Sequence, residues 1–183
     1  MNKKDKLIVI LISAAAVLFL VIQFVILPAN EKKQNDYAIR QTDSQTHDHT
    51  VIKNYKSPYI GDAANISQLF YALPLNDIPM KFEIDSENCT LTVYYLETVW
   101  NIGEQKVLRD LIYNTAAAMA AVDNLAAVTY EFSGKQYSYT REQMELILGT
   151  PLSALLTEDL WEEKLQDKLS SDDFVAQFTE IDF

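Results

Sequence analysis

A single cysteine, Cys89, in a chain of 183 residues excludes an intrachain disulfide, so the fold must hold by packing alone. Four glycines leave little material for a phosphate-cradling loop. No Walker loop, paired-glycine dinucleotide turn, His-Glu-x-x-His or Cys-x-x-Cys pattern occurs. The only histidines, His47 and His49, flank Asp48 in a polar stretch. That placement predicts an incidental solvated cluster and excludes a Ser–His or Cys–His nucleophile inside the folded part. Positive charge is also scarce. Fifteen Lys and Arg face 26 Asp and Glu, a net charge of −11. From Thr50 onward the balance is 9 against 21, or −12. A surface this acidic repels polyanions and argues against nucleic acid as a partner.

What the chain does have is a long apolar run. Leu7 to Leu27 is 21 residues without a charge, broken only by Ser13 and Gln23. At about 1.5 Å per residue the helix covers about 32 Å, which matches a hydrocarbon core of about 30 Å. Lys3, Lys4 and Lys6 precede it, and Glu31 offsets one of Lys32 and Lys33 behind it. This asymmetry predicts an N-terminus held in the cytoplasm. The run exceeds the roughly 7–15 residues of a cleavable signal, and cleavage after Ala29 would put Leu27 at −3. Residues 11–29 contain no lipid-accepting cysteine. The expectation is an uncleaved anchor: a cytoplasmic tail over 1–6, a span over 7–27, a polar flexible stalk over 28–50, and one extracytoplasmic domain over 51–183.

Within that domain Asp62 is placed to cap a helix from Ala63 to Leu73, with Ile66, Leu69, Phe70 and Leu73 as its buried stripe and Pro74 as its stop. Lys81–Asp85 and Thr90–Leu96 alternate around a turn and read as a β-hairpin. Asn101 with Glu104 suggests a capping box for a helix over Glu104–Val122. Its run of alanines suits either close approach to a sheet or plain helix propensity. Leu125–Phe132 and Lys135–Tyr139 flank Ser133-Gly134 as a second hairpin. Thr140 caps a short helix ending at Gly149, and a further helix covers Thr157–Leu169. This order predicts an α+β domain with a four-stranded antiparallel sheet, two hairpins packed by helices.

Candidate sites are few. Tyr94, Tyr137 and Tyr139 fall in predicted strands and are the candidate ligand or partner surface, the alternative being cross-strand packing. Asp85-Ser86-Glu87-Asn88 is rich in oxygen but lacks the glycine and distal glutamate of a calcium loop, and reads as a turn. No metal or cofactor is expected. Phe174, Val175, Phe178, Ile181 and Phe183 punctuate the acidic C-terminal stretch as packing residues or as a surface for a partner.

Tyr59-Ile60-Gly61-Asp62 with Asn65, Leu69 and Leu73-Pro74-Leu75, then Ala121-Val122-Asp123-Asn124 through Tyr139-Thr140-Arg141-Glu142 to Gly149, resembles a family of extracytoplasmic domains of Gram-positive bacteria. The family is known only as domain of unknown function number forty-eight twenty-five, and the resemblance covers about Val51–Leu169. It implies a location outside a bacterial cell membrane, behind a single membrane helix or a lipoprotein signal, and kinship with domains appended to membrane-bound sensor-type peptidases. It assigns no catalytic residue. The expected function is a non-enzymatic binding or sensory domain, partnered with the bilayer through Leu7–Leu27 and with a protein or cell-envelope ligand. The alternatives are an assembly subunit of a membrane complex and a carboxylate-dependent envelope hydrolase. Oligomeric state is not readable.

Overall fold

A computed structural model describes residues 2–156 and 158–179. The chain divides into a unit up to Ile39 and a second from Arg40 onward. The first is one helix, α1, Lys3–Arg40, long and apolar enough to cross a membrane. Asn2 caps it and Asp5 reaches back to the Asn2 backbone. A π-helical turn at Ile22–Ile26 precedes Pro28. Pro28 has no N–H to donate and its ring crowds the carbonyl of Phe24, so the ladder widens there. The stalk expected over 28–50 is therefore helical to Arg40. Its remainder belongs to the second unit, with Ser44, His47 and His49 buried.

The second unit is a mixed α/β domain around a four-stranded sheet of order β1-β2-β3-β4. A 3-10 segment, His49–Tyr55, leads to α2, Ala63–Ala72, capped by Asp62 as expected. The strands are β1, Met80–Asp85, β2, Thr90–Tyr95, β3, Ala127–Phe132, and β4, Lys135–Thr140. The pairs β1–β2 and β3–β4 are antiparallel hairpins. The central pair β2–β3 is parallel, Thr90 facing Ala127 and Tyr94 facing Glu131, which corrects the all-antiparallel expectation. The cause is the intervening helix. Parallel neighbours need a crossover of a dozen or more residues, and α3, Val99–Ile102, with α4, Glu104–Ala121, supplies it. Thr98 caps α3 and Gly103, at φ 102°, turns the chain into α4, so Asn101 does not cap the long helix.

Helix α4 is surrounded on all sides. Val107 and the run from Asp110 to Ala121 are buried, every alanine included. A helix buried all round is a core helix, and its alanines let neighbours close in from several directions. The outer elements are α5, Arg141–Leu148, ended by Gly149 in the left-handed region, a 3-10 turn Leu152–Ala154, α6, Glu158–Lys164, a 3-10 turn Gln166–Ser170 and α7, Asp172–Ala176. The helix expected over Thr157–Leu169 is thus two pieces; of its expected apolar side, Leu160, Trp161, Leu165 and Leu169, the last three are buried and Leu160 is half-buried. Phe174, Val175 and Phe178 are packed, while Ile181 and Phe183 lie outside the described residues. Cys89 is half-buried in the β1–β2 turn with φ 55°, and Asn124 donates to its sulfur at 3.4 Å. Asp85 accepts from the backbone of Glu87 and Asn88, so the oxygen-rich segment is a turn.

Arg141 staples the crossover. Its guanidinium donates to the carbonyls of Met119 and Val122, each at 2.8 Å, and Leu125 at 2.9 Å. These include carbonyls at the C-terminus of α4, where the helix lacks its own donors. Arg141→Met should lower unfolding stability by about 2–3 kcal/mol, because buried carbonyls then lack partners. Urea titration of the full chain in detergent measures this; an unchanged midpoint would refute the role.

Candidate functional site

The three tyrosines read as a surface do not share one. Tyr94 lies on the open face of the sheet, beside Lys81 and Glu131 in register, and donates its hydroxyl to Glu83 at 2.7 Å. That bond to a carboxylate holds the phenol above its ordinary pKa. Tyr137 and Tyr139 alternate onto the opposite, helix-covered face. Tyr139 is buried, edge-on to Tyr130 at 6.2 Å, and burial raises its pKa. Tyr137 is half-buried, its ring against Phe132, with the Lys135 ammonium 5.3 Å from the ring centre.

Tyr137 and Tyr139 do meet in one feature, a cavity of about 530 Å³ beside β4. Glu104 and Leu108 of α4, Gln143 of α5 and Phe178 close its other sides. Lys135 and Glu104 form an ion pair at its wall. The buried hydroxyl of Tyr139 has no hydrogen-bond partner among the described residues. Lys135 lies close to the Tyr137 hydroxyl but without hydrogen-bond geometry. Chemically this cavity offers two amides, Gln136 and Gln143, the Ser138 and Thr179 hydroxyls and a neutralised charge pair, with no imidazole in its lining. It suits an uncharged hydrogen-bonding group, and its volume lies in the range of small-ligand sites.

A wider, shallow groove of about 920 Å³ runs between the end of β4 and α5, with Asp123, Glu142 and Glu145 on its walls and the exposed Leu146 at its rim. Arg141, also in that wall, is committed to the three carbonyls above. Glu145 accepts from the Leu152 N–H at 3.0 Å and faces Arg141 at 3.8 Å.

The histidines mark what sequence reading missed. His47 is buried, not solvated: Nε2 lies 2.7 Å from the Ala72 carbonyl and Nδ1 2.8 Å from the Tyr113 hydroxyl. A carbonyl only accepts, so Nε2 carries the proton and Nδ1 receives that of Tyr113. Burial lowers the His47 pKa, outweighing the Ala72 bond and the Asp48 charge, which raise it. His49 stacks on Trp161 at 5.7 Å, and Trp161 meets Tyr113 edge-on at 5.0 Å. Around them Ser44 donates its N–H to Asp110 at 2.9 Å, Lys106 donates to the Thr42 carbonyl at 2.6 Å and pairs with Asp110, and Gln166 donates to the carbonyls of Ser44 and His47. Burial raises the Asp110 pKa while Lys106 and Ser44 pull it down. Asp110, Tyr113 and Asn114 sit in the buried stretch of α4, and polar groups beside its alanine run were the available signal that something polar must dock on them. Among the described residues no group of three metal-binding side chains occurs.

Tyr113→Phe should cost about 1–3 kcal/mol, since it strands the buried Nδ1 acceptor of His47. Tyr139→Phe should leave the unfolding midpoint unchanged or raised, because it deletes an unpartnered hydroxyl. Thermal melts of the two variants in detergent check both; the reverse ranking would contradict these assignments.

No curated protein and no solved structure matches this chain. Residues 52–142, from the 3-10 segment through the start of α5, match the family described as a domain of unknown function (DUF4825), and this stretch of the chain is a domain of that family.

Proposed function

We propose that the chain is a single-pass protein of a bacterial cell membrane, N-terminus in the cytoplasm, whose α/β domain binds an extracytoplasmic ligand or partner without chemistry of its own. The β4 cavity carries this reading: a pocket of ligand size lined by Tyr137 and Tyr139, by the amides of Gln136 and Gln143 and by the Lys135–Glu104 pair offers an uncharged polar group both ring surface and hydrogen bonds. The lysines before α1 support the outward orientation. A second reading, carboxylate-dependent hydrolysis in the envelope, has one observation behind it: Asp123, Glu142 and Glu145 share the groove along α5. Glu145 is already held by Leu152 and Arg141, which leaves Asp123 and Glu142 to do such work.

Two measurements separate these. In a Cys89→Ser background, Ser133→Cys in intact cells should react with a membrane-impermeant maleimide; reaction only after permeabilisation reverses the orientation. A photo-crosslinking side chain at Gln136, on the cavity wall, should give an adduct in cells that Leu108→Trp, which fills the cavity, abolishes. An adduct absent from Gln136 contradicts the cavity reading. Cell-wall cleavage lost in Asp123→Asn and Glu142→Gln would favour the groove instead.

A further inference from the structure

We propose that Gln41–Thr50 is an acid-released clasp, latched by His47 onto α2 and α4 at neutral pH and freed when that imidazole takes a proton. The inference does not depend on the ligand reading. The segment buries no aliphatic side chain; its hold is polar, through Ser44 to Asp110, Lys106 to the Thr42 carbonyl, His47 to Tyr113 and Ala72, Gln166 to the carbonyls of Ser44 and His47, and Asn76 to the Gln41 carbonyl, with the His49 ring stacked on Trp161. Both ring nitrogens of His47 are in use, and only the neutral ring satisfies both neighbours. With Nδ1 protonated, the ring points a donor at the Tyr113 hydroxyl. That oxygen can turn to accept, but the phenol proton then loses its acceptor inside the core.

Counter-charge is also weak, and Asp48 supplies it. From its own segment His47 faces Asp48, whose carboxylate is bound to the backbone and hydroxyl of Thr50, and His49, which opposes a second positive charge. From α4 it faces Tyr113, with Asp110 beyond it, already paired with Lys106 and the Ser44 N–H. From α2 comes the Ala72 carbonyl, and from the C-terminal elements Trp161 and Gln166, none of them charged. An imidazolium here is therefore held by dipoles and by the Asp48 carboxylate, too little to offset its burial, and leaving the site relieves it.

The sign follows from linkage. The docked ring titrates below its ordinary 6.5, so docking is fully favoured above that value and weakens as pH falls beneath it. Release converts ten residues, 41–50, from packed chain into tether, up to about 33 Å when extended. A domain tied to a helix that can cross a membrane would thereby gain reach in acid.

Hydrogen exchange of the full chain in lipid nanodiscs tests this. Between about pH 7.5 and pH 5, corrected for intrinsic rates, protection over 41–50 should fall by about tenfold or more while β1–β4 stay protected. His47→Gln, which keeps a donor and an acceptor but cannot charge, should abolish the response. Three results overturn the proposal: no change over 41–50, loss of sheet protection alongside it, or a response surviving in His47→Gln. Should that variant not fold, the wild-type ring decides by NMR. Titration of His47 below 6.5, in step with release, supports the clasp, and titration at or above 6.5 refutes it.

Discussion

The fold depends on one constraint: α4 is buried on every side, yet it carries polar side chains in its middle. Each of them must find a partner inside the protein, since water cannot reach it. Asp110 takes the Ser44 N–H and Lys106, Tyr113 gives its proton to His47, Asn114 donates to the Pro74 carbonyl, and Thr115 meets the Tyr130 hydroxyl. Four neighbouring positions on one helix thereby fix the segment behind α1, the turn after α2 and the sheet. The alanines between them keep the helix thin enough for all of these elements to approach. Substituting any one of these polar groups leaves a buried partner stranded, so the helix acts as a hub rather than as filler.

This arrangement moves the domain's working boundary. The family stretch, 52–142, holds the sheet, α2 and α4, but α4 reaches outside it for its polar satisfaction. Residues 41–50 complete one side, and Trp161, Gln166 and Phe178 complete another. The β4 cavity shares this character, since Phe178 closes a wall that the family stretch begins. Both the candidate ligand site and the docked segment thus lie where residues 52–142 meet the chain on either side of them.

Much of the fold was legible because its signals are local. The Asp62 and Thr140 caps, the Ser133-Gly134 turn and the Gly149 stop each act within four residues, and each stands where sequence placed it. The apolar run 7–27 was equally plain. Two features were not. The parallel β2–β3 pair depends on where a thirty-residue crossover returns the chain, and hairpin signals alone say nothing of that. Polar docking of 41–50 was invisible because burial is normally read from apolar side chains, and this segment buries hydroxyl, imidazole and backbone instead. Of the candidate tyrosines, alternation placed Tyr137 and Tyr139 on one face, but which face the helices cover is a tertiary fact, and it separated Tyr94 from them.

The central claim is that residues 41–50 are structural parts of the domain, held by α4. Urea unfolding of two soluble fragments, 41–183 and 51–183, tests it most directly. The account predicts a cooperative transition for both fragments, with 51–183 less stable by about 2–4 kcal/mol, since stranding Tyr113 and Asp110 costs that much. Equal stability of the two fragments would contradict it.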